Sequence, residues 1–329
     1  MMRQAKIIGT GSYLPERVLS NGDLELMVET TDEWIVSRTG MKERRLARPD
    51  EYTSSMGAAA ARAALQDAGI SPEAVDFIIV ATLTPDYIFP STACLIQHAI
   101  GAKAAGAADI QAACTGYLYG LSLAKAWVES GTYRNVLVIA PDKLSSITNY
   151  KDRSTCVLFG DGAAACVVSS EGKGLLLKTV RLGADGEQAE LLMMPGGGCR
   201  NPASAETVST GLHFIKMAGN EVFKHAVRRM ESASKECLEA AGVDEKEIAW
   251  VIPHQANIRI IDAMAKRFEH LPPERVFKTV HKYGNTSASS VGIALDELLK
   301  AGMAKSGEKI LLTAFGAGFT WGAAVLSYE

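Results

Sequence analysis

Residues 68–80 read Ala68-Gly-Ile-Ser-Pro-Glu-Ala-Val-Asp-Phe-Ile-Ile-Val80, and residues 241–253 read Ala241-Gly-Val-Asp-Glu-Lys-Glu-Ile-Ala-Trp-Val-Ile-Pro253. Each stretch is a helix end, an Ala-Gly pair, an acidic loop and an apolar strand. The glycine suits the left-handed residue that closes a helix. The two copies lie 241 minus 68, or 173, residues apart. A second pair of segments, Asn135–Ala140 and Lys309–Ala314, lies 309 minus 135, or 174, residues apart. Two independent segments at nearly one offset argue for an internal duplication of an α/β unit. The expected halves are 1–172 and 173–329. Gly162-Ala-Ala-Ala and Gly322-Ala-Ala-Val read as their last strands.

Around these anchors the chain alternates helix and strand patterns. Helices are expected at Thr53–Ala68, Pro90–Ile100, Asn220–Ala241, Ile258–Phe268 and Val291–Ala301. Strands are expected at Lys6–Leu14, Asp76–Thr82, Asn135–Ala140, Ala163–Ser169, Ile248–Ile252, Lys309–Ala314 and Gly322–Tyr328. Asp76–Thr82 and Asn135–Ala140 lack polar alternation, as strands do in a sheet covered on both faces. Gly9-Thr-Gly11 invites a dinucleotide-loop reading, but position 14 is Leu and Pro15 stops a helix from opening there.

The chain has 329 residues, 47% hydrophobic and 22% charged, with a net charge of −3. That is the composition of a soluble globular protein. The charge gives no reason to expect nucleic acid or an anionic membrane as a bulk partner. No apolar run is long enough for a span, and Met1–Gly9 reads as a strand start without a signal-peptide pattern, so a cytoplasmic protein is expected. The six cysteines, at 94, 114, 156, 166, 199 and 237, form no CxxC pair. Free thiols and no metal site are expected.

One cysteine stands apart. In Asp109-Ile-Gln-Ala-Ala-Cys114-Thr-Gly116, a short strand-like run meets a helix rich in small residues. Unpaired N–H groups and the helix dipole at such a start are expected to lower the Cys114 pKa and make it an acyl-carrying nucleophile. A buried, inert cysteine is the alternative. Adding 173 to 114 gives 287, inside the turn Asn285-Thr-Ser-Ala-Ser-Ser290. His254 leaves the end of the Ile248–Ile252 strand, where loops of open α/β sheets line ligand sites. Cys114, His254 and Asn285 are therefore expected to converge. A thiolate that attacks a thioester forms an acyl-enzyme. Backbone N–H groups at Cys114 and in the Gly316-Ala317-Gly318 turn would hold the developing oxyanion. A neutral His and an Asn amide would donate to a second oxygen, such as the enolate left when malonyl loses carbon dioxide. Thiol proteases also use Cys, His and Asn, but the duplicated α/β pattern does not suggest their architecture.

Further motifs carry a resemblance: Trp34-Ile-Val-Ser-Arg-Thr-Gly40, Ala113-Cys114-Thr-Gly116, Phe159-Gly-Asp-Gly162, Met217-Ala-Gly-Asn-Glu-Val-Phe223, His254-Gln-Ala-Asn-Ile-Arg259, Gly284-Asn285-Thr-Ser287 and Phe315-Gly-Ala-Gly-Phe-Thr-Trp-Gly322. In these the chain resembles the β-ketoacyl-acyl-carrier-protein synthase III family of thiolase-like condensing enzymes, from the first strand to the last residues. The resemblance implies a duplicated five-layered α/β/α/β/α fold and a homodimer. It implies Cys114 as acyl carrier, His254 and Asn285 as promoters of malonyl decarboxylation, and an oxyanion hole from the N–H groups of Cys114 and Ala317. Acyl-coenzyme A and malonyl-acyl-carrier protein would be the substrates, with no further cofactor.

For coenzyme A, the resemblance implies Trp34 and Arg153 around the adenine, Arg38 near the phosphates, and Gly219, Phe223 and Asn257 along the pantetheine tunnel. Phe89 would lie at the dimer interface beside the acyl pocket. Gln255, Ala256, Asn257, Ile258 and Arg259 would meet the carrier protein. Charge adds Lys224, Lys266 and Arg267 to that surface, because Met217–Met230 and Asn257–Phe268 are basic and carrier proteins of this pathway are acidic. Ala317 replaces a glycine seen in some members, which costs little if its φ is negative.

Overall fold

The computed structural model describes residues 3–329. Nine strands form one continuous hydrogen-bonded ladder: β1 (Lys6–Tyr13), β2 (Phe77–Ala81), β3 (Gly106–Ile110), β4 (Asn135–Asp142), β5 (Gly162–Ser169), β6 (Leu175–Ala184), β7 (Ile248–Pro253), β8 (Lys309–Gly316) and β9 (Thr320–Tyr328). Their order is β7-β8-β9-β6-β1-β5-β4-β2-β3. From the middle outward, β1-β5-β4-β2 and β6-β9-β8-β7 repeat one arrangement. Each has two antiparallel pairings and then a parallel one. The halves join through two residue pairs, Lys6 with Leu176 and Ile7 with Leu175. β3 has no full counterpart; a single bridge between Val251 and Val276 stands in its place.

Seven longer helices cover the sheet: α1 (Asp32–Thr39), α2 (Thr53–Ala68), α3 (Thr92–Ile100), α4 (Gly116–Ser130), α5 (Gly219–Ala241), α6 (Ile258–Ala265) and α7 (Ser289–Lys300). α2 packs outside β1, β4 and β5, and α5 outside β6, β8 and β9. α4 and α7 each touch strands of both halves. They are the middle of an α/β/α/β/α stack, the five-layered fold expected.

The middle layer explains the small residues of α4 and α7. A Cβ on Gly120 would lie 2.6 Å from Val138 Cγ1, and one on Gly292 would lie 2.5 Å from Ala164 Cβ. Helices pressed between two sheets have no solvent face, so α7 is buried from Ser289 to Asp296. Tyr117, Leu118 and Leu121 of α4 fill the same core. Each large apolar side chain so buried contributes about 1.5–3 kcal/mol. Asp296 is tolerated there because Thr10 Oγ1, Ser12 Oγ and Lys300 Nζ all donate to it.

Several boundaries differ from the sequence expectation. The Gly9 and Gly11 positions lie against α2, where a Cβ would come within 2.4 Å of the Ala68 and Ala64 nitrogens. They allow helix–sheet contact and bind no dinucleotide loop. α3 starts at Thr92, two residues after Pro90, because Ser91 caps it by accepting from the Cys94 N–H at 3.3 Å. α6 stops at Ala265, where the Lys266 N–H turns back to the Asp262 and Met264 carbonyls. β6 carries Lys178 and Arg181 among its apolar residues, a mixed pattern without the period-2 alternation that marks a strand in sequence. Among the described residues, no helix is long and apolar enough to cross a membrane.

Candidate active site

The turn between β3 and α4 holds Cys114. Ala113, just before it, has left-handed backbone with φ 45°. Cys114 sits in the tight turn Ala113–Thr115, and α4 proper begins at Gly116. The Thr115 and Thr320 hydroxyls lie 2.7 Å apart. They reach the Ala112 carbonyl at 2.6 and 3.0 Å respectively, and Thr320 also reaches the Ala317 carbonyl at 3.1 Å. This pair clamps the Gly316–Gly318 turn to the cysteine turn. Gly316 is required by closeness: a Cβ there would meet the Cys114 nitrogen at 2.7 Å. Ala317 is not among the residues with positive φ, so its methyl introduces no left-handed strain.

Cys114 is half-buried. Removal from water pushes its thiol up to about 12, Ser287 beside it draws the value down, and the Asp142 carboxylate pushes it further up. The expectation of a lowered pKa is therefore corrected. Desolvation of the sulfur outweighs the helix-start effect, because a buried thiolate loses its hydration.

His254 leaves β7 with its backbone N–H donated to the Thr313 carbonyl at 2.8 Å. It is 3% exposed. Nδ1 lies 2.7 Å from Ser290 Oγ, and the same oxygen accepts the Gln255 N–H at 3.3 Å. A Ser290 hydroxyl that donates to Nδ1 leaves the proton of a neutral imidazole on Nε2. Burial pushes the imidazole down to about 3, so it is neutral at physiological pH. Asn285 is held by strand-like bonds: its N–H donates to the Leu158 carbonyl at 2.9 Å, and its carbonyl accepts from the Gly160 N–H at 3.0 Å. The Asn285 Oδ1 accepts the Ser287 N–H at 2.9 Å, which leaves the Nδ2 group to donate elsewhere.

Cys114, His254 and Asn285 all line one cavity of about 1130 Å³. Leu83, Leu144, Val157 and Phe315 give it apolar walls, and Trp34, Arg38, Lys224 and Arg259 also line it. A half-buried thiol, a neutral imidazole and an amide facing one apolar space suit acyl transfer better than proteolysis, since burial leaves the imidazole a poor base and an amide has no basic atom.

Comparison with known proteins decides the family. Residues 108–186 match the profile described as 3-oxoacyl-[acyl-carrier-protein (ACP)] synthase III, and residues 238–328 match that of its C-terminal part. Beta-ketoacyl-[acyl-carrier-protein] synthase III of Chlamydia caviae is 62% identical over 326 residues, covering 99% of this chain and 97% of that one. The chain belongs to the β-ketoacyl-acyl-carrier-protein synthase III family. It is a condensing acyltransferase. The crystal structure of 3-oxoacyl-[acyl-carrier-protein] synthase III from Aquifex aeolicus superposes with a TM-score of 0.91 at 50% identity, covering 98% of this chain and 100% of that one. The priming beta-ketosynthase of the R1128 polyketide biosynthetic pathway gives 0.92 at 37% identity, covering 100% and 97%.

In this synthase the expected coenzyme A residues fall into two groups. Trp34, Arg38, Gly219, Phe223 and Asn257 line the cavity. The Arg153 guanidinium lies 4.8 Å from the Trp34 ring centroid and donates to the Glu29 carbonyl. Leu144 and Val157 line the cavity, whereas Phe89 and the Gly196–Gly198 loop do not. Phe89 is 85% exposed, on a loop with the exposed Tyr87 and Ile88.

The carrier-protein set divides as well. Gln255 is corrected: it is buried, and its amide is fully used. Its Nε2 donates to the Pro253 and Phe277 carbonyls, and its Oε1 accepts the Thr279 and Val280 N–H groups. It cannot contact a docked protein. Ile258 packs against Gly40 at the end of α1 and does not line the cavity. Ala256, Asn257 and Arg259 do line it. Lys224 is paired with Glu221 at 2.8 Å, and Arg267 with Glu231 at 3.4 Å, which offsets part of the expected positive charge. Lys266 is exposed. Sequence reasoning missed the supports Thr115, Thr320 and Ser290. All three lie inside motifs already singled out, but only proximity in space reveals their roles.

Proposed function

We propose that an acyl-coenzyme A primer acylates Cys114 and that malonyl-acyl-carrier protein then condenses with the acyl-enzyme, starting type II fatty-acid chains. The thioester oxygen is held by the N–H groups of Cys114 and Ala317 while sulfur attacks, and coenzyme A leaves as its thiol. Malonyl-acyl-carrier protein loses carbon dioxide. The Nε2–H of His254 and the Nδ2–H of Asn285 donate to the enolate oxygen, and the enolate carbon displaces Cys114 from its acyl group. The product is a 3-oxoacyl-acyl-carrier protein. A histidine already neutral donates without first shedding a proton, and it leaves the enolate stabilised but still reactive.

The observation that carries this reading is the fixed polarity of the two donors. Ser290 Oγ lies at His254 Nδ1, and on this reading it donates there and leaves the proton on Nε2; the Ser287 N–H occupies Asn285 Oδ1. Trp34, Arg38, Arg153, Gly219, Phe223 and Asn257 hold coenzyme A on this reading, and Arg259, Lys224, Lys266 and Arg267 meet the carrier protein. Residues 1–172 supply the nucleophile and 173–329 the donors. The exposed run Tyr87, Ile88 and Phe89 supports a homodimer in which a second chain covers it. Activity belongs to the cytoplasm, where acyl-coenzyme A is made.

Self-acylation with a panel of straight and branched acyl-coenzyme A esters, read by intact mass, tests the scheme. One acyl mass on Cys114 is expected; no adduct from any ester would sink it. The likeness to a polyketide priming synthase supports a second reading, transfer into a secondary metabolite. Strong preference for an acceptor other than malonyl-acyl-carrier protein would favour that one.

A further inference from the structure

The acylation half-reaction needs an acceptor for the Cys114 proton, and the two donors do not offer one. His254 has its Nδ1 engaged by Ser290, and burial pushes its imidazole down to about 3, so it is a poor acceptor for a thiol proton. Asn285 has no basic atom. A third group lies behind the cavity wall. Asp142, at the end of β4, is 0% exposed. Its Oδ1 accepts Thr82 Oγ1 at 2.9 Å, the Leu83 N–H at 2.9 Å and Thr84 Oγ1 at 3.0 Å. Its Oδ2 has no hydrogen-bond partner. No lysine or arginine forms a salt bridge with it among the described residues; the neighbouring Lys143 donates to the Arg48 carbonyl instead.

Ser287 lines the cavity together with Cys114. Its hydroxyl acts on the protonation of both Cys114 and Asp142. Neither approach meets full hydrogen-bond geometry in the resting site, so Ser287 Oγ, like Asp142 Oδ2, is buried without a partner. Ser287 is also held in left-handed backbone, φ 56°, an arrangement costly for a serine. Two buried oxygens left unpartnered in one site each carry an uncompensated desolvation cost. Burial also raises the Asp142 carboxyl above its usual range, which makes it a stronger base.

We propose that Ser287 and Asp142 form a proton relay for Cys114. This rests on the acyl-Cys114 reading. As sulfur attacks the thioester carbon, the Cys114 S–H bond breaks and its proton passes to Ser287 Oγ. The Ser287 hydroxyl proton passes to Asp142 Oδ2. The new C–S bond forms, the oxyanion collapses, and the coenzyme A C–S bond breaks. The proton returns from Asp142 through Ser287 to the leaving sulfur, so coenzyme A departs as a thiol and the carboxylate is restored. Ser287 touches the reacting sulfur; Asp142 acts through it.

The test is single-turnover acylation with whichever acyl-coenzyme A of the panel acylates the wild-type protein fastest, run on Ser287→Ala, Asp142→Asn and the double variant. Ser287→Ala keeps the N–H that orients Asn285, and Asp142→Asn keeps the shape of the carboxylate. Each is expected to lower the maximal acylation rate about 100-fold, with the half-saturating ester concentration changed by less than about threefold. Because the groups act in series, the double variant loses no more than the worse single one. Malonyl-acyl-carrier protein decarboxylation falls at least tenfold less than acylation. Wild-type acylation rates in both variants, a double loss equal to the product of the single losses, or a parallel loss of decarboxylation would each overturn the relay. A wild-type protein that takes no acyl group from any ester defeats the acyl-Cys114 reading itself, a result distinct from these.

Discussion

The turn before α4 and the turn before α7 are the same structure put to two uses. Ala113 and Ser287 are the two non-glycine residues with positive φ among the described residues. They lie 287 minus 113, or 174, residues apart, the offset that separates β4 from β8 in the sequence. In the first turn the next residue is Cys114, open to the cavity. In the second it is Ala288, fully buried, its methyl 3.4 Å from where a Cβ on Gly116 would stand. Asn285, before the second left-handed residue, corresponds to Gln111 before the first, and both line the cavity. Duplication thus supplies two related turns at one site. On the proposed reading, divergence of single side chains makes one turn the nucleophile and the other the donor.

The largest way to break this comparison is Cys114→Ala. Acyl transfer should fall by roughly 10³-fold or more, as when a nucleophile is removed, while malonyl decarboxylation survives. A radiolabelled carbon dioxide release assay separates the two; loss of both would mean that the turns are not functionally divided. Next comes Asn285→Ala. Loss of one preorganised donor should slow decarboxylation about 100-fold and change self-acylation only a few-fold. Equal losses would remove the distinction between the turns.

A smaller effect concerns pH. His254 has a folded pKa near 3, against about 6.5 in an unfolded chain. Between those values the unfolded state binds the proton and the folded state does not. The stability tied to neutral His254 is therefore complete above pH 6.5 and is lost as pH falls toward 3. His254→Gln should remove about 2 kcal/mol of the stability lost between pH 7 and pH 5, measured by urea unfolding. An unchanged pH slope would mean that the imidazole is not desolvated in solution. The smallest expected effect is that of Ala113→Gly. Glycine relieves the left-handed strain and should raise stability by up to about 1 kcal/mol, with acylation reduced as the cysteine loses its fixed placement. A drop in stability would show that the methyl packs usefully and that the two turns differ in more than their side chains.

Much of the site was legible before any coordinates. The two offsets located the Asn285 turn from the Cys114 turn, and strand-end logic added His254. The structure brings all three to one cavity. The protonation state of Cys114 was not legible, because it depends on how much protein surrounds the sulfur rather than on its place at a helix start. Gln255 shows the same limit. Its motif position suggested a docking surface, yet its amide is consumed by four backbone groups, three from residues more than twenty positions away. The Trp34–Arg153 contact likewise joins a helix face to a short helix, Arg153–Cys156, over a hundred residues on.

Sequence by itself determined the repeat, the covered strands and the small-residue helices, because period and composition report local geometry and burial directly. It determined the family too, through ordered motifs from Trp34 to Gly322. The tertiary structure alone decided which atoms carry protons and which face the cavity. Ser290 meets His254 Nδ1, Thr115 and Thr320 lock the two turns together, and Asp142 lies buried with Oδ2 unpartnered. Desolvation and hydrogen-bond direction are properties of atoms meeting across the fold, and no spacing along the chain encodes them.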